Sequence, residues 1–248
     1  MKRAAVLGLS LGSLAIASSA MLAAPASAET TVRMGTYVWL PTIEGPLGLA
    51  PAQPPPILDG NILDNLKFFG FGVGEISGER VGANFDFAYV NLNFGQDVKL
   101  NGPIGLTPDL DAKALVGSVN GFYRIYDGEK VSVDVTGGVR GFWLESSFTL
   151  SAPNTTLIDA SGDTNWFDGT LGGRVRGQFG KWGLTGQADS GWGDSTSSWQ
   201  AQGLVEYDLS SRWRLMGGYR YLHFENDKRR VDVDLDLKGP LLGFSYRF

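Results

Sequence analysis

The chain of 248 residues has no cysteine, so disulfide staples, thiol nucleophiles and Cys-based metal sites are excluded together. Its formal net charge is −5, and setting aside the basic N-terminus makes it more negative, which argues against nucleic acid as a partner. Glycine is abundant, at 35 residues, but no fixed period accompanies it, so a collagen-like or solenoid chain is excluded as well.

Lys2 and Arg3 are followed by an apolar run from Ala4 to Leu22, broken only by Gly and Ser, and then by Ala26-Ser27-Ala28. A charged start, an apolar centre and an Ala-x-Ala site make residues 1–28 a secretory signal peptide, expected to be cleaved. Residues 29–248 then form one domain. No later apolar run approaches the length a membrane-crossing helix needs. Segment after segment instead alternates apolar and polar residues with period two, the pattern of strands whose two faces meet different surroundings.

Ten strands are expected, over residues 30–40, 66–77, 80–94, 110–126, 129–145, 163–179, 182–193, 198–209, 212–225 and 229–248. In the first, alternation places Val32, Met34, Val38 and Leu40 on one face, while Tyr37 and Trp39 suit a membrane interface, so its facing stays open. The long connection 41–65 carries Pro54-Pro55-Pro56. In 66–77 either Phe69, Phe71 and Val73 or Phe68 and Ile76 form the outer face. Gly70, Gly72 and Gly74 are one face of a glycine-rich strand, since nothing helical follows to make a phosphate loop.

A tight turn at Gly78-Glu79-Arg80 leads to Val81–Tyr89, with Asn84 and Asp86 on its polar face. Beyond a second long connection, 95–109, a three-residue turn at Tyr126-Asp127-Gly128 pairs Ile125 with Glu129 and puts Tyr123 and Val131 outside. Val131–Gly141 alternates most clearly: Val and Gly occupy one face, with Ser132, Asp134, Thr136 and Arg140 on the other. After a third long connection, 146–162, Phe167, Leu171, Val175 and Phe179 share the apolar face. Asp168, Thr170, Arg174, Arg176 and Gln178 share the polar one. Asn154-Thr155-Thr156 matches a glycosylation acceptor but carries little weight in a bacterial-type envelope protein.

Turn length and facing can be tested against each other. Two residues at Gly180-Lys181 pair Phe179 with Trp182, and three at 210–212 pair Leu209 with Trp213. Both pairs fall on the apolar face found independently from alternation. Aromatics end that face at both levels: Phe179, Trp182, Tyr207, Trp213 and Phe248 at the short-turn rim, and Tyr89, Trp143, Phe167, Trp192, Trp199 and Tyr221 at the long-loop rim. Such girdles mark two bilayer interfaces, so the fold expected is an all-β, transmembrane, antiparallel up-and-down barrel of about ten strands, between eight and twelve.

The opposite face then lines a narrow lumen holding Asp86, Asp134, Arg140, Asp168, Arg174, Arg176, Asp189, Glu206, Arg214 and Arg220. These charges are expected to pair across strands and fill it. Catalytic chemistry is not expected, because the single histidine, His223, shares the outward face with Tyr219 and Tyr221. Asp232, Asp234 and Asp236 share one face, as a hard-cation or lipopolysaccharide site would require. Asp236 nevertheless lies about 30 Å above Phe248, outside an apolar band of about 25 Å, and a wet strand extension accounts for it. No metal or cofactor is expected.

The ending Leu242-Gly243-Phe244-Ser245-Tyr246-Arg247-Phe248 resembles the C-terminal signal of outer-membrane barrels. That resemblance implies that Leu242, Phe244, Tyr246 and Phe248 are read by the barrel assembly machinery. Trp39-Leu40-Pro41, Ile43-Glu44-Gly45, Ile62-Leu63-Asp64-Asn65-Leu66, Gly218-Tyr219-Arg220-Tyr221-Leu222 and Gly239-Pro240-Leu241-Leu242-Gly243 resemble a family of uncharacterised proteobacterial outer-membrane β-barrel proteins. The family implies a Gram-negative outer-membrane location, with lipid and lipopolysaccharide as surroundings, and supplies no activity. A structural or surface-interaction role is expected, with a small passive pore as the alternative and an enzyme behind both.

Overall fold

The computed structural model describes residues 30–46, 57–61, 66–93, 107–152, 155–226 and 233–248. Among them every regular element is a strand: β1 (Thr31–Trp39), β2 (Thr42–Pro46), β3 (Ile57–Asn61), β4 (Leu66–Ser77), β5 (Val81–Asn93), β6 (Thr107–Asp127), β7 (Val131–Ala152), β8 (Thr155–Phe179), β9 (Trp182–Gly193), β10 (Ser197–Asp208), β11 (Trp213–Asn226) and β12 (Val233–Arg247). Ten of them, β1 and β4 to β12, pair antiparallel in chain order. Pairing of β1 with β12, from Arg33–Arg247 to Trp39–Leu241, closes the barrel. Closure leaves no edge among these staves, so their backbone groups pair without water, the condition for crossing hydrocarbon.

Phe179 faces Trp182 across a turn in which Gly180 takes φ +64°, and Leu209 faces Trp213, as turn length and alternation together require. Turn and facing agree less well at the end of β6. A bulge between Arg124 and Tyr126 takes up one residue, and the Gly128 amide bonds the Val131 carbonyl, so the expected Ile125–Glu129 pair does not form. Tyr123 still points outward, opposite Val135.

The connections on the other rim are shorter than expected. β2 and β3 form a hairpin within 41–65, and β2 joins the upper part of β12 where β1 ends. Pro41, with no amide to give, separates β1 from β2. The segment 146–162 lies largely within β7 and β8, which stay paired up to Ala152 and Thr155. Asn154 and Asp232 lie outside the described residues.

Both strands of open facing resolve. In β1, Tyr37 and Trp39 are buried inside and Met34 is exposed outside. In β4, Phe71, Val73 and Glu75 point inward and Ile76 outward. The outward glycines of β4 are roofed by rings from β5, Phe87 over Gly72 and Phe85 over Gly74. A side chain at either glycine would collide with its ring.

The outer surface is apolar at mid-height, with Leu171 54%, Val139 50% and Val135 42% exposed. A continuous apolar belt of this kind needs a nonaqueous surround.

Candidate functional site in the barrel lumen

Because alternate residues of every stave turn inward, the lumen can be read as stacked layers. At the short-turn end Arg214 bonds Asp208 (2.6 and 3.0 Å), with Glu206 at 3.5 Å. Thr185 donates to Glu206 at 3.0 Å, and Arg33 reaches the Ser245 hydroxyl at 3.3 Å.

Above this Glu75 of β4 receives Arg174 at 2.6 Å and Arg176 at 2.7 Å, both from β8. Asp134 of β7, fully buried, accepts from the same two arginines at 3.0 Å each and from Arg124 at 3.1 Å. Arg174 also lies over the Phe122 ring, 4.5 Å from its centre. Arg220 of β11 grips Asp86 of β5 through two hydrogen bonds, 3.1 and 2.7 Å, while the Tyr37 hydroxyl accepts from Arg220 and donates to Asp86, 2.9 Å each.

Arg140 pairs with Asp189, which also accepts from Gln200 at 2.9 Å. Charges this deeply buried persist only when paired and hydrogen-bonded. Asp168 is the exception to the expected ion pairing. Arg140 is its register partner but bonds Asp189 instead, and Asp168 accepts from the Ser195 amide at 3.0 Å and the Ser198 hydroxyl at 2.8 Å. A cavity of about 140 Å³ remains among these charges, bordered by Arg33, Glu75, Asp86, Arg174, Arg214 and Arg220.

All ten charged residues expected in the lumen therefore point into it. Sequence reasoning left out Glu75, Arg33, Arg124, Asp208 and Tyr37. Glu75 and Tyr37 sit on the two strands of open facing, and Arg33 shares the first of them. Alternation already puts Asp208 on the polar face of β10 with Gln200, Gln202 and Glu206, and it puts Arg124 on that of β6, next to the outward Tyr123.

The expected polar lumen is corrected in its outer half. On five staves the inward residue one step above the uppermost charge, or above Tyr37, is apolar: Ala88 above Asp86, Phe142 above Arg140, Leu222 above Arg220, Trp39 above Tyr37 and Trp166 above Asp168. These join Phe71, Phe224, Val233, Leu235 and Leu241 in a buried cluster. The change of polarity does not extend to β9 and β10, whose inward Asp189, Ser198 and Gln200 are buried and polar. The interior has a charged inner storey and an aromatic outer one.

His223 lies on the outer face of β11, where its Nδ1 is 2.9 Å from Asp236. Tyr221 donates to the same carboxylate at 2.5 Å and stacks on Trp199. Asp234 and Asp236 share the outer face of β12 near the long-loop rim. Among the described residues no group of three or more His, Asp or Glu side chains is placed to hold a metal ion. Leu242, Phe244 and Phe248 are exposed on the outer face of the closing strand, with the half-buried Tyr246 between them.

The outer-membrane protease OmpT from Escherichia coli has a similar structure, with a TM-score of 0.52, 7% identity, and 90% of this chain and 98% of that chain covered. The chain has the fold of an outer-membrane β-barrel. Ail, the attachment invasion locus protein of Yersinia pestis, matches with a TM-score of 0.40, 14% identity and coverage of 88% and 98%. The translocator domain of the autotransporter NalP from Neisseria meningitidis gives 0.47, 11%, and 92% and 91%. No family model matches the sequence, and no curated protein does.

Proposed function

We propose that this protein resides in the outer membrane as a barrel with a closed lumen and a structural or surface-interaction role, noncatalytic, exported through removal of residues 1–28. The observation that carries this reading is the bridging of Glu75 and Asp134 to Arg174 and Arg176, which spans the lumen between β4, β7 and β8. Side chains locked this way leave little path for hydrated ions, and the aromatic storey above adds a second obstruction. Lipid and lipopolysaccharide would surround the outer face, and the assembly machinery would read the C-terminal strand.

Single-channel recording on refolded protein tests the reading. Wild-type protein should conduct weakly, and replacing Arg174 and Arg176 with Ala should raise the conductance. A large, stable wild-type conductance that ignores those changes would overturn the plug and promote a passive pore, the second reading, which the charged cavity of about 140 Å³ favours.

A further inference from the structure

The aromatic storey is not packed solid. A cavity of about 80 Å³ lies within it, walled by Trp39, Phe71, Val116, Phe142, Trp166 and Phe224 among others, and it presents only apolar atoms. Phe142 lies between two rings, stacked on Trp166 with centres 4.9 Å apart and tilted against Phe224 at the same distance. Below, the cavity is floored by the charge pairs, since the Arg220 guanidinium sits 5.4 Å from the Trp39 ring.

We infer that this cavity is a binding site for a small, uncharged apolar molecule the size of a single hydrocarbon ring or a short alkyl chain. Three features select that chemistry. A lining of carbon offers water no hydrogen bond, and apolar cavities of this kind stay dry and take up hydrocarbons. The ring faces on one wall favour a flat or polarizable occupant. The paired charges beneath repel an apolar guest from going deeper, so the occupant rests at the boundary between the storeys. The volume limits the enclosed part of the guest to about one ring, with anything longer protruding toward the long-loop rim. A core serving stability alone would gain by closing this void, because an empty cavity forfeits the contacts of every residue lining it. The inference does not depend on the conductance of the barrel.

The test is methyl NMR of the refolded protein in lipid nanodiscs, titrated with benzene. Val116, Leu144, Leu235 and Leu237 report the cavity, and Val135, Val139 and Leu171 report the lipid face of the same molecules. Saturable shifts confined to the first set are expected. In Ala114→Phe, which fills the cavity with a ring, binding should weaken at least tenfold; Ala88→Leu serves if that variant does not assemble. Shifts that grow without saturating and are shared by Val135 and Leu171 would mean partition into the bilayer only, and would overturn the site. So would the absence of shifts at Val116 and Leu235, or unchanged binding in an assembled, filled variant.

Discussion

Arg220 and Asp86 hold each other across the lumen, a guanidinium on β11 and a carboxylate on β5 joined by two hydrogen bonds. The shorter way round the wall between those strands passes through β12, β1 and β4, so the pair acts as a strut inside the barrel seam. Asp86→Ala should cost about 3–5 kcal/mol, because it strands a buried guanidinium rather than deleting a balanced pair. Tyr37→Phe, which removes only the hydroxyl shared by both partners, should cost about 1.5–3 kcal/mol. Urea unfolding in lipid vesicles measures both; a Tyr37→Phe cost as large as that of Asp86→Ala would show that the strut depends on the shared hydroxyl as much as on the ion pair.

The exterior makes a depth-dependent prediction. Val135 and Leu171 lie at mid-height on the outer face, and Val131 lies beside a short turn. Arginine at either of the first two should destabilise the folded state by about 2–4 kcal/mol, and at Val131 by about 0–1 kcal/mol. A uniform cost at all three positions would remove the hydrocarbon from the outside of the barrel.

Phe142 sets the packing of the outer storey. It is 2% exposed and touches both Trp166 and Phe224, so Phe142→Ala should cost about 3–5 kcal/mol and enlarge the cavity. The same unfolding assay applies. A cost below about 1 kcal/mol would mean that the rings collapse to refill the space.

The ten staves were legible because each separates lipid from lumen, and that contrast writes period two into residues such as Val135 and Thr136. The pattern fails where the contrast fails. Beyond the apolar belt both faces of β7 and β8 carry polar or small residues, so Ser146-Ser147 and Ser161-Gly162-Asp163 read as a loop although they are paired strand. In the outer storey both faces are apolar, and Tyr37, Trp39 and Phe71 look equally fit for lipid or interior. Alternation shows that two faces differ; it does not show which inward residues share a height. Glu75 was therefore missed as the bridge between Arg174 and Arg176, since β4 and β8 are remote in sequence and meet only through barrel closure.

The last prediction concerns the seam. Phe248 is 73% exposed, so its ring stabilises the fold little by packing inside the protein. Its backbone amide, however, bonds the Val32 carbonyl at 3.0 Å, and its ring meets Tyr246 edge-on at the outer face. Removing the residue deletes the last bond of the β1–β12 closure and the terminal aromatic, while the rungs from Arg33–Arg247 to Trp39–Leu241 remain. The assembled barrel should thus keep most of its stability without Phe248, yet reach the outer membrane in smaller amounts, because the terminal aromatic would act in recognition rather than in packing. Phe248→Ala separates the two contributions by keeping the amide and losing the ring. Membrane fractionation with heat-modifiable gel mobility measures yield, and urea unfolding of the purified barrel measures stability. Reduced yield with near-unchanged stability in Phe248→Ala is expected. Normal yield in that variant would show that the ring carries no assembly information and leave the Val32 bond as the residue's contribution.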